Sequence, residues 1–354
     1  MVCRKGGIAV SDGLSYKDAG VDIDLANQTK AELKTVLANK DPRLLNSLGA
    51  FGALYDFSFP EYESPVLVLK TEEPGSKQVL AFRYDRYESI CYDMINHLIN
   101  DCIVMGARPL AVQDAIICGK LEKDKVVRMV AAIAQACREQ GCTLTGGEIS
   151  EQPGVIPEGT YILTSSIVGI VDRKDIIDGS AIEPGDIVIG VESSGLHTNG
   201  YSLVRKLLAK DPGLAETVIG DRRFIDLVLE PHRCYYKTVR GLFGTRVIKG
   251  MAHITGGGIA ENLNRILPPR VDAAIDLSLY RIPAIFGAIK AAGSVSDSEM
   301  LRTFNLGVGL TIVCSRTDVD RVISHISESG IAAYVIGEIV PGSGRVVTRG
   351  SLPW

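Results

Sequence analysis

From Glu88 to Met105 the apolar residues Ile90, Met94, Ile95, Leu98, Ile99, Cys102 and Met105 recur at steps of three and four, the spacing of one helix face. Gly106 and Pro109 then end the helix. A second helix is predicted over Asp124 to Gln140, with Asp124 as its capping acid, an apolar face of Val127, Val130, Ala134 and Cys137, and Gly141 as its stop. A third stretch of helical pattern runs from Leu25 to Leu37. Short apolar runs predict strands at Pro65 to Leu69, Leu110 to Ile117, Tyr161 to Val171, Gly185 to Val191, up to Cys314, and Tyr334 to Val340. Strands and helices alternate, so the fold class is α/β (α+β). The charged turn Asp172-Arg173-Lys174-Asp175 divides it into residues 1–171 and 172–354.

At 354 residues the chain is about two domains long, and 46% hydrophobic against 23% charged residues is ordinary globular composition. A net charge of −4 without any block of like charge argues against a nucleic-acid partner or a membrane-surface helix, but leaves room for a small anionic ligand at a local site. Eight cysteines with no Cys-x-x-Cys pair, mostly inside apolar runs, read as buried thiols in a reducing compartment. Arg4 and Lys5 are followed by only a short apolar stretch, and no run reaches spanning length, so the cytoplasm is expected. No internal repeat or low-complexity segment is present, and no Ser-His-Asp or zinc pattern is readable. His97, on a mostly apolar helix, reads as a packed core histidine.

Polar residues interrupt the central helix at Asp93, Asn96, Asn100 and Asp101; Asn96 and Asn100 share a face. Such residues lower helix propensity, and they read either as a solvated face or as a ligand site. The strand at Pro65 to Leu69 runs into Thr71-Glu72-Glu73-Pro74-Gly75-Ser76-Lys77, where an acid, a glycine, a hydroxyl and a lysine could hold a metal and phosphates. Thr145-Gly146-Gly147-Glu148 reads as a Gly-pair turn followed by acids. Ser193 to Leu203 delivers a Ser-, Gly-, Thr- and Asn-rich loop into a helix start, a setting suited to an anion, and Gly256-Gly257-Gly258 opens another helix with backbone free to approach a phosphate. Ser15 to Ile23 has no core pattern; it is either a surface arm or a carrier for Lys17 as a mobile cation.

Asn100-Asp101-x4-Gly106-Ala107-x-Pro109 resembles the signature of the aminoimidazole ribonucleotide synthetase superfamily of ATP-dependent enzymes. Ser15 to Ile23, Gly119-Lys120-Leu121, Gly146-Gly147-Glu148, Ser194 to Leu203 and Ala252 to Leu263 narrow the resemblance to the phosphoribosylformylglycinamidine cyclo-ligases, from Ser15 to about Val340. Leu196 for Pro and Thr198 for Ser are mild changes from that pattern, and three other places depart from it. Glu72-Glu73-Pro74 stands where the family usually has Asp-Gly-Val, Tyr87-Glu88 stands for His-Asp, and His232 for a small hydroxyl residue.

The resemblance implies a two-domain fold whose N-terminal sheet pairs across a homodimer. It implies ATP and Mg2+ as cofactors, and cyclisation of formylglycinamidine ribonucleotide to aminoimidazole ribonucleotide with release of ADP and phosphate. It also implies roles: Lys17, Asn100 and His197 in catalysis; Gly75, Ser76, Lys77, Asp114, Gly146 and Gly147 around ATP; His197, Asn199, Gly256, Gly257 and Gly258 on the substrate; and Glu72, Asp101 and Glu148 on the metal. Two further readings use the same residues: a paralogue acting on a different substrate, and a non-catalytic nucleotide-binding dimer.

Overall fold

The computed structural model describes residues 16–37, 41–46 and 50–354. Ser15, at the head of the N-terminal motif, lies outside the described residues. After α1 (Ile23–Val36) comes an α/β unit of β1 (Pro65–Glu72), α2 (Lys77–Arg83), α3 (Tyr87–Ile103), β2 (Arg108–Cys118), α4 (Lys123–Glu139), β3 (Thr143–Glu151) and β4 (Tyr161–Asp172). Its sheet has the order β1-β4-β2-β3, with β2 and β3 parallel and the other pairs antiparallel. Along β1 and β2, Val68, Val112 and Ile116 are buried, and α3 packs against β1, β2 and β4. The opposite face carries Leu67, Leu69, Thr71, Gln113 and Ile162. Leu69 is 71% exposed there, an uncovered apolar position in the middle of a strand.

The second half contains β5 (Ile187–Glu192), α5 (Tyr201–Lys210), the two-residue strands β6 (Val218–Ile219) and β7 (Arg222–Arg223), α6 (Phe224–Val228) and α7 (Tyr236–Val239). It continues through β8 (Ile248–His253), α8 (Gly258–Leu263), β9 (Val271–Asp276), α9 (Ala284–Gly293), α10 (Asp297–Thr303), β10 (Val308–Cys314), α11 (Val319–Ser327), β11 (Ala333–Pro341) and β12 (Val346–Arg349). Its main sheet has the order β12-β9-β11-β5-β10-β8. Every residue of β10 is buried, as a strand covered on both faces requires.

Two local expectations are corrected. Glu122, not Asp124, is the residue before α4; Asp124 lies in the first turn, where its charge still suits the helix N-terminus. Gly146 and Gly147 form no turn but lie inside β3, beside a register shift against β2. Gly146 takes up that irregularity at φ 153°, and a Cβ on Gly147 would stand 2.1 Å from a carboxylate oxygen of Asp114.

The two halves meet along α3. Ser89, Asp93, Asn96 and Asn100 follow at steps of four, three and four, which is a single stripe. The Ser89 hydroxyl donates to the Leu229 carbonyl at 2.7 Å, and Asp93 accepts the His232 N–H at 2.7 Å. Asn96 donates to the His232 carbonyl at 2.6 Å; Asn100 donates to the Arg233 carbonyl at 2.8 Å and accepts the Tyr235 N–H at 2.9 Å. The stripe gives the irregular backbone of residues 229–235 the partners that its own conformation lacks.

Candidate active site

At the C-terminal end of β1, Lys70 and Glu72 point to the α3 side of the sheet, because alternate residues of a strand share a face. The Lys70 ammonium lies 2.9 Å from Glu72 and 2.9 Å from Asp101. Partial burial works against its charge, but hydrogen bonds to the two carboxylates raise its pKa. Asp101 also accepts from His253 Nδ1 at 2.7 Å. Burial opposes the Asp101 charge too, yet the His253 hydrogen bond, the nearby imidazoles and Lys70 hold it well below the usual carboxylate range.

Glu148 does not join this pair within one chain. Glu72, Ser165, Asp114 and Gly147 form one row across the four strands, so the next residue, Glu148, projects from the other face, about 14 Å away by strand spacing. Asp114 is buried beneath the helices, and burial pushes its carboxyl up to about 7. It is closed in against Gly147 and not open to a nucleotide.

Lys77 is also placed differently from the expectation that it meets a phosphate. Its side chain is fully buried, with the ammonium 2.8 Å from Asp93, 3.1 Å from the His197 carbonyl and 2.7 Å from the Glu230 carbonyl. All three of its donors are used. Burial drives both members of the Lys77–Asp93 pair toward their neutral forms, lowering the lysine and raising the aspartate to about 6. Asn100 is likewise committed, to the 233–235 backbone. Lys77 and Asn100 therefore fasten one half of the protein to the other.

The loop Gly75-Ser76 does meet the loop before α5: a Cβ on Gly75 would lie 3.3 Å from the Thr198 carbonyl. His197 sits in that second loop at φ 62°, a strained conformation for a non-glycine residue. Its ring is 1% exposed and stacks on His232 with centroids 3.8 Å apart. Space for it comes from Gly309, where a Cβ would stand 2.6 Å from the ring. Asn199 lies beside Gly256, and its Nδ2 is buried without a hydrogen-bond partner. Gly257 at φ 89° and Gly258 at φ 61° make the turn into α8, and a Cβ on Gly258 would collide with the Leu301 carbonyl.

Lys17 belongs to a separate place. It is exposed, pairs with Asp22 at 2.8 Å, and lines a cavity of about 510 Å³ with Lys120, Leu121, Glu151 and Pro153.

Lys70, His232 and His253 were not readable as site residues. Lys70 sits in an apolar strand run, and the Ala252 to Leu263 motif draws attention to its glycines rather than to His253. One signal was available for His97: it precedes Asp101 by four residues, which puts both on one helix face.

Comparison with known proteins identifies the family. Residues 58–171 match the family described as AIR synthase related protein, N-terminal domain, and residues 183–349 match its C-terminal domain. The chain is 42% identical over 334 residues to the phosphoribosylformylglycinamidine cyclo-ligase of Desulfitobacterium hafniense, covering 92% of this chain and 97% of the relative. It is 41% identical over 339 residues to that of Caldanaerobacter subterraneus, covering 94% of this chain and all of the relative. The hydrogenase maturation protein HypE, solved in complex with ATP, shares the fold with a TM-score of 0.62 at 17% identity, over 89% of this chain and 92% of that one. The chain belongs to the phosphoribosylformylglycinamidine cyclo-ligase family.

Proposed function

We propose that this chain catalyses ATP-dependent closure of formylglycinamidine ribonucleotide to aminoimidazole ribonucleotide, releasing ADP and phosphate, as a step of purine biosynthesis in the cytoplasm. The observation that carries the reading is the convergence of Glu72 and Asp101 on one point at the seam between the halves, next to the Gly75-Ser76 and Thr198-Asn199 loops. Hard carboxylate oxygens in small number suit Mg2+, which takes its remaining ligands from phosphates and water. The Lys70 ammonium already takes the place of a cation between them, so the residues fit the ion, and Glu72 and Asp101 would hold it.

When bound, ATP supplies the phosphoryl group that turns the substrate's formyl amide oxygen into a leaving group. The chain's own part is positioning and charge neutralisation. Lys70 balances the carboxylates while the cation is away. Asn199 Nδ2, without a partner beside Gly256, is a donor for the substrate's phosphate, and the glycines let backbone approach the same group. Lys17 and Lys120 line the cavity beside α1, where each pairs with a carboxylate, Asp22 at 2.8 Å and Glu158 at 3.4 Å; a phosphate there would have to draw them away from those partners.

In this reading residues 1–171 serve ATP and dimerisation, and residues 172–354 serve the ribonucleotide. A homodimer through the N-terminal sheet is supported by its uncovered face, where Leu67 is 45%, Leu69 71% and Ile162 39% exposed. Among the described residues no helix is long and apolar enough to cross a membrane.

Substrate carrying oxygen-18 in its formyl group tests the chemistry directly. The label is expected in the released inorganic phosphate, because that oxygen leaves bonded to phosphorus. Label recovered in water, with unlabelled phosphate, would overturn activation of the amide oxygen.

A further inference from the structure

Two lysines stand at the seam between the halves, and they are held in opposite ways. Lys77 is fully buried, with its three donors fixed on Asp93 and two carbonyls. The Lys70 side chain is 35% exposed, on the edge strand β1, and its ammonium is held by the carboxylates of Glu72 and Asp101 at 2.9 Å each. Those carboxylates have other supports. Asp101 Oδ1 accepts from His253 Nδ1 at 2.7 Å, and Glu72 Oε1 accepts the Glu73 N–H at 3.2 Å. The remaining oxygens, Asp101 Oδ2 and Glu72 Oε2, are the ones turned to Lys70, and His97 Nε2 lies 3.8 Å from both. Burial keeps the His97 ring neutral, so the positive charge between the two oxygens is that of Lys70.

On the reading above that Glu72 and Asp101 hold the divalent cation, we propose that Lys70 is its tethered competitor. The ammonium leaves the two carboxylates when the cation enters and passes to the phosphates of the nucleotide, so that cation and nucleotide each bind tightly only with the other.

The ammonium sits 2.9 Å from each carboxylate oxygen, whereas Mg2+ requires about 2.0–2.1 Å and cannot share both oxygens with a positive charge at contact distance. Entry of the ion therefore expels Lys70. Without an anion at hand, the expelled ammonium exchanges two charge-assisted hydrogen bonds for water, and that loss weakens binding of the ion. Phosphate at the Gly75-Ser76 loop restores a partner to it. Conversely, phosphate that arrives without the ion draws Lys70 away and faces two uncompensated carboxylates. The coupling is reciprocal, and couplings of this kind are worth roughly 5–150-fold in affinity. Partial exposure permits Lys70 this exchange, which full burial denies to Lys77.

The test uses full-length protein stripped with a chelator, with Mn2+ as the probe because electron paramagnetic resonance counts its free form. Lys70→Met keeps the length of the side chain and loses its charge. Without nucleotide, this variant is expected to bind Mn2+ roughly 5–150-fold more tightly than the unmutated protein does. It is also expected to bind β,γ-methylene-ATP more weakly in the presence of chelator, as read by calorimetry. Lys70→Arg, which keeps the charge, is expected to leave Mn2+ binding weak, and Asp101→Asn in the Lys70→Met background is expected to remove the gained affinity. A side chain that merely supports the fold would move both affinities in one direction or move neither, and either result overturns the proposal. Amine labelling of the unmutated protein, followed by peptide mass spectrometry, gives a readout that no folding failure affects. Saturating Mg2+ is expected to speed labelling of Lys70 and not of Lys77; an unchanged rate at Lys70 overturns the competition. No readout uses the ribonucleotide or turnover, so a wrong substrate leaves these results intact, and their failure leaves the oxygen-18 result intact.

Discussion

His97 shows how much a single side chain can depend on its surroundings. Read as a packed core residue, it is indeed buried, but it packs among polar groups: the Thr198 hydroxyl, the His232 and His253 rings, and Glu72, Asp101 and Lys70. Burial, followed by the His253 charge, lowers its pKa to about 4 from an ordinary 6.5. Between these values the unfolded chain binds a proton that the folded one refuses, so stability is fully present above pH 6.5 and is lost as pH falls toward 4. Denaturant titrations of metal-free protein between pH 4 and 7.5 are expected to show this loss, with a slope reduced by up to about 1.4 kcal/mol per pH unit in His97→Gln. Equal slopes in the two proteins would mean that His97 does not titrate in this way. Lys77 belongs to the same scale. The sequence places a lysine after a strand and a Gly-Ser pair, where a phosphate reading is natural; only the tertiary structure reveals that Asp93 and two carbonyls surround it.

At the scale of elements, α3 was legible as a helix and illegible as an interface. Its apolar residues fall at helical spacing, which any amphipathic helix requires, and the structure places it at Tyr87–Ile103. Its polar stripe looks like a solvated face because sequence spacing says which residues share a face but not what covers it. The cover is the 229–235 backbone, some 135 residues away in the chain. The Gly146-Gly147 pair was misread for a related reason: a turn and an irregular strand both favour glycine, and only the neighbouring Asp114 distinguishes them. Asn100→Leu is expected to lower stability by about 1–3 kcal/mol for each of the two backbone groups it leaves without a partner, the Arg233 carbonyl and the Tyr235 N–H. Chemical denaturation measures this. A loss under about 0.5 kcal/mol, the range of an ordinary surface substitution, would mean that water or another side chain takes over both bonds.

At the scale of the whole molecule, α/β alternation and the family resemblance were readable along nearly the full chain, and the comparisons bear out the family in both halves. The expected three-carboxylate metal set was not matched by the structure, because a sequence motif does not say on which face of a sheet a residue points. Glu148 follows Gly147 by one residue, and that single step turns it away from Glu72 and Asp101. The face on which Glu148 lies is also the uncovered one. A charge on its exposed apolar part, Leu69→Lys, is expected to convert a dimer to a monomer at micromolar concentration in light-scattering chromatography, whereas an unchanged mass would place the contact between copies elsewhere. The most direct test of the assignment is turnover of the unmutated protein with formylglycinamidine ribonucleotide, Mg2+ and ATP, with ADP and aminoimidazole ribonucleotide followed together. The two products are expected in equal amounts. ADP without the ring product, or neither product from folded protein, would contradict the cyclo-ligase activity.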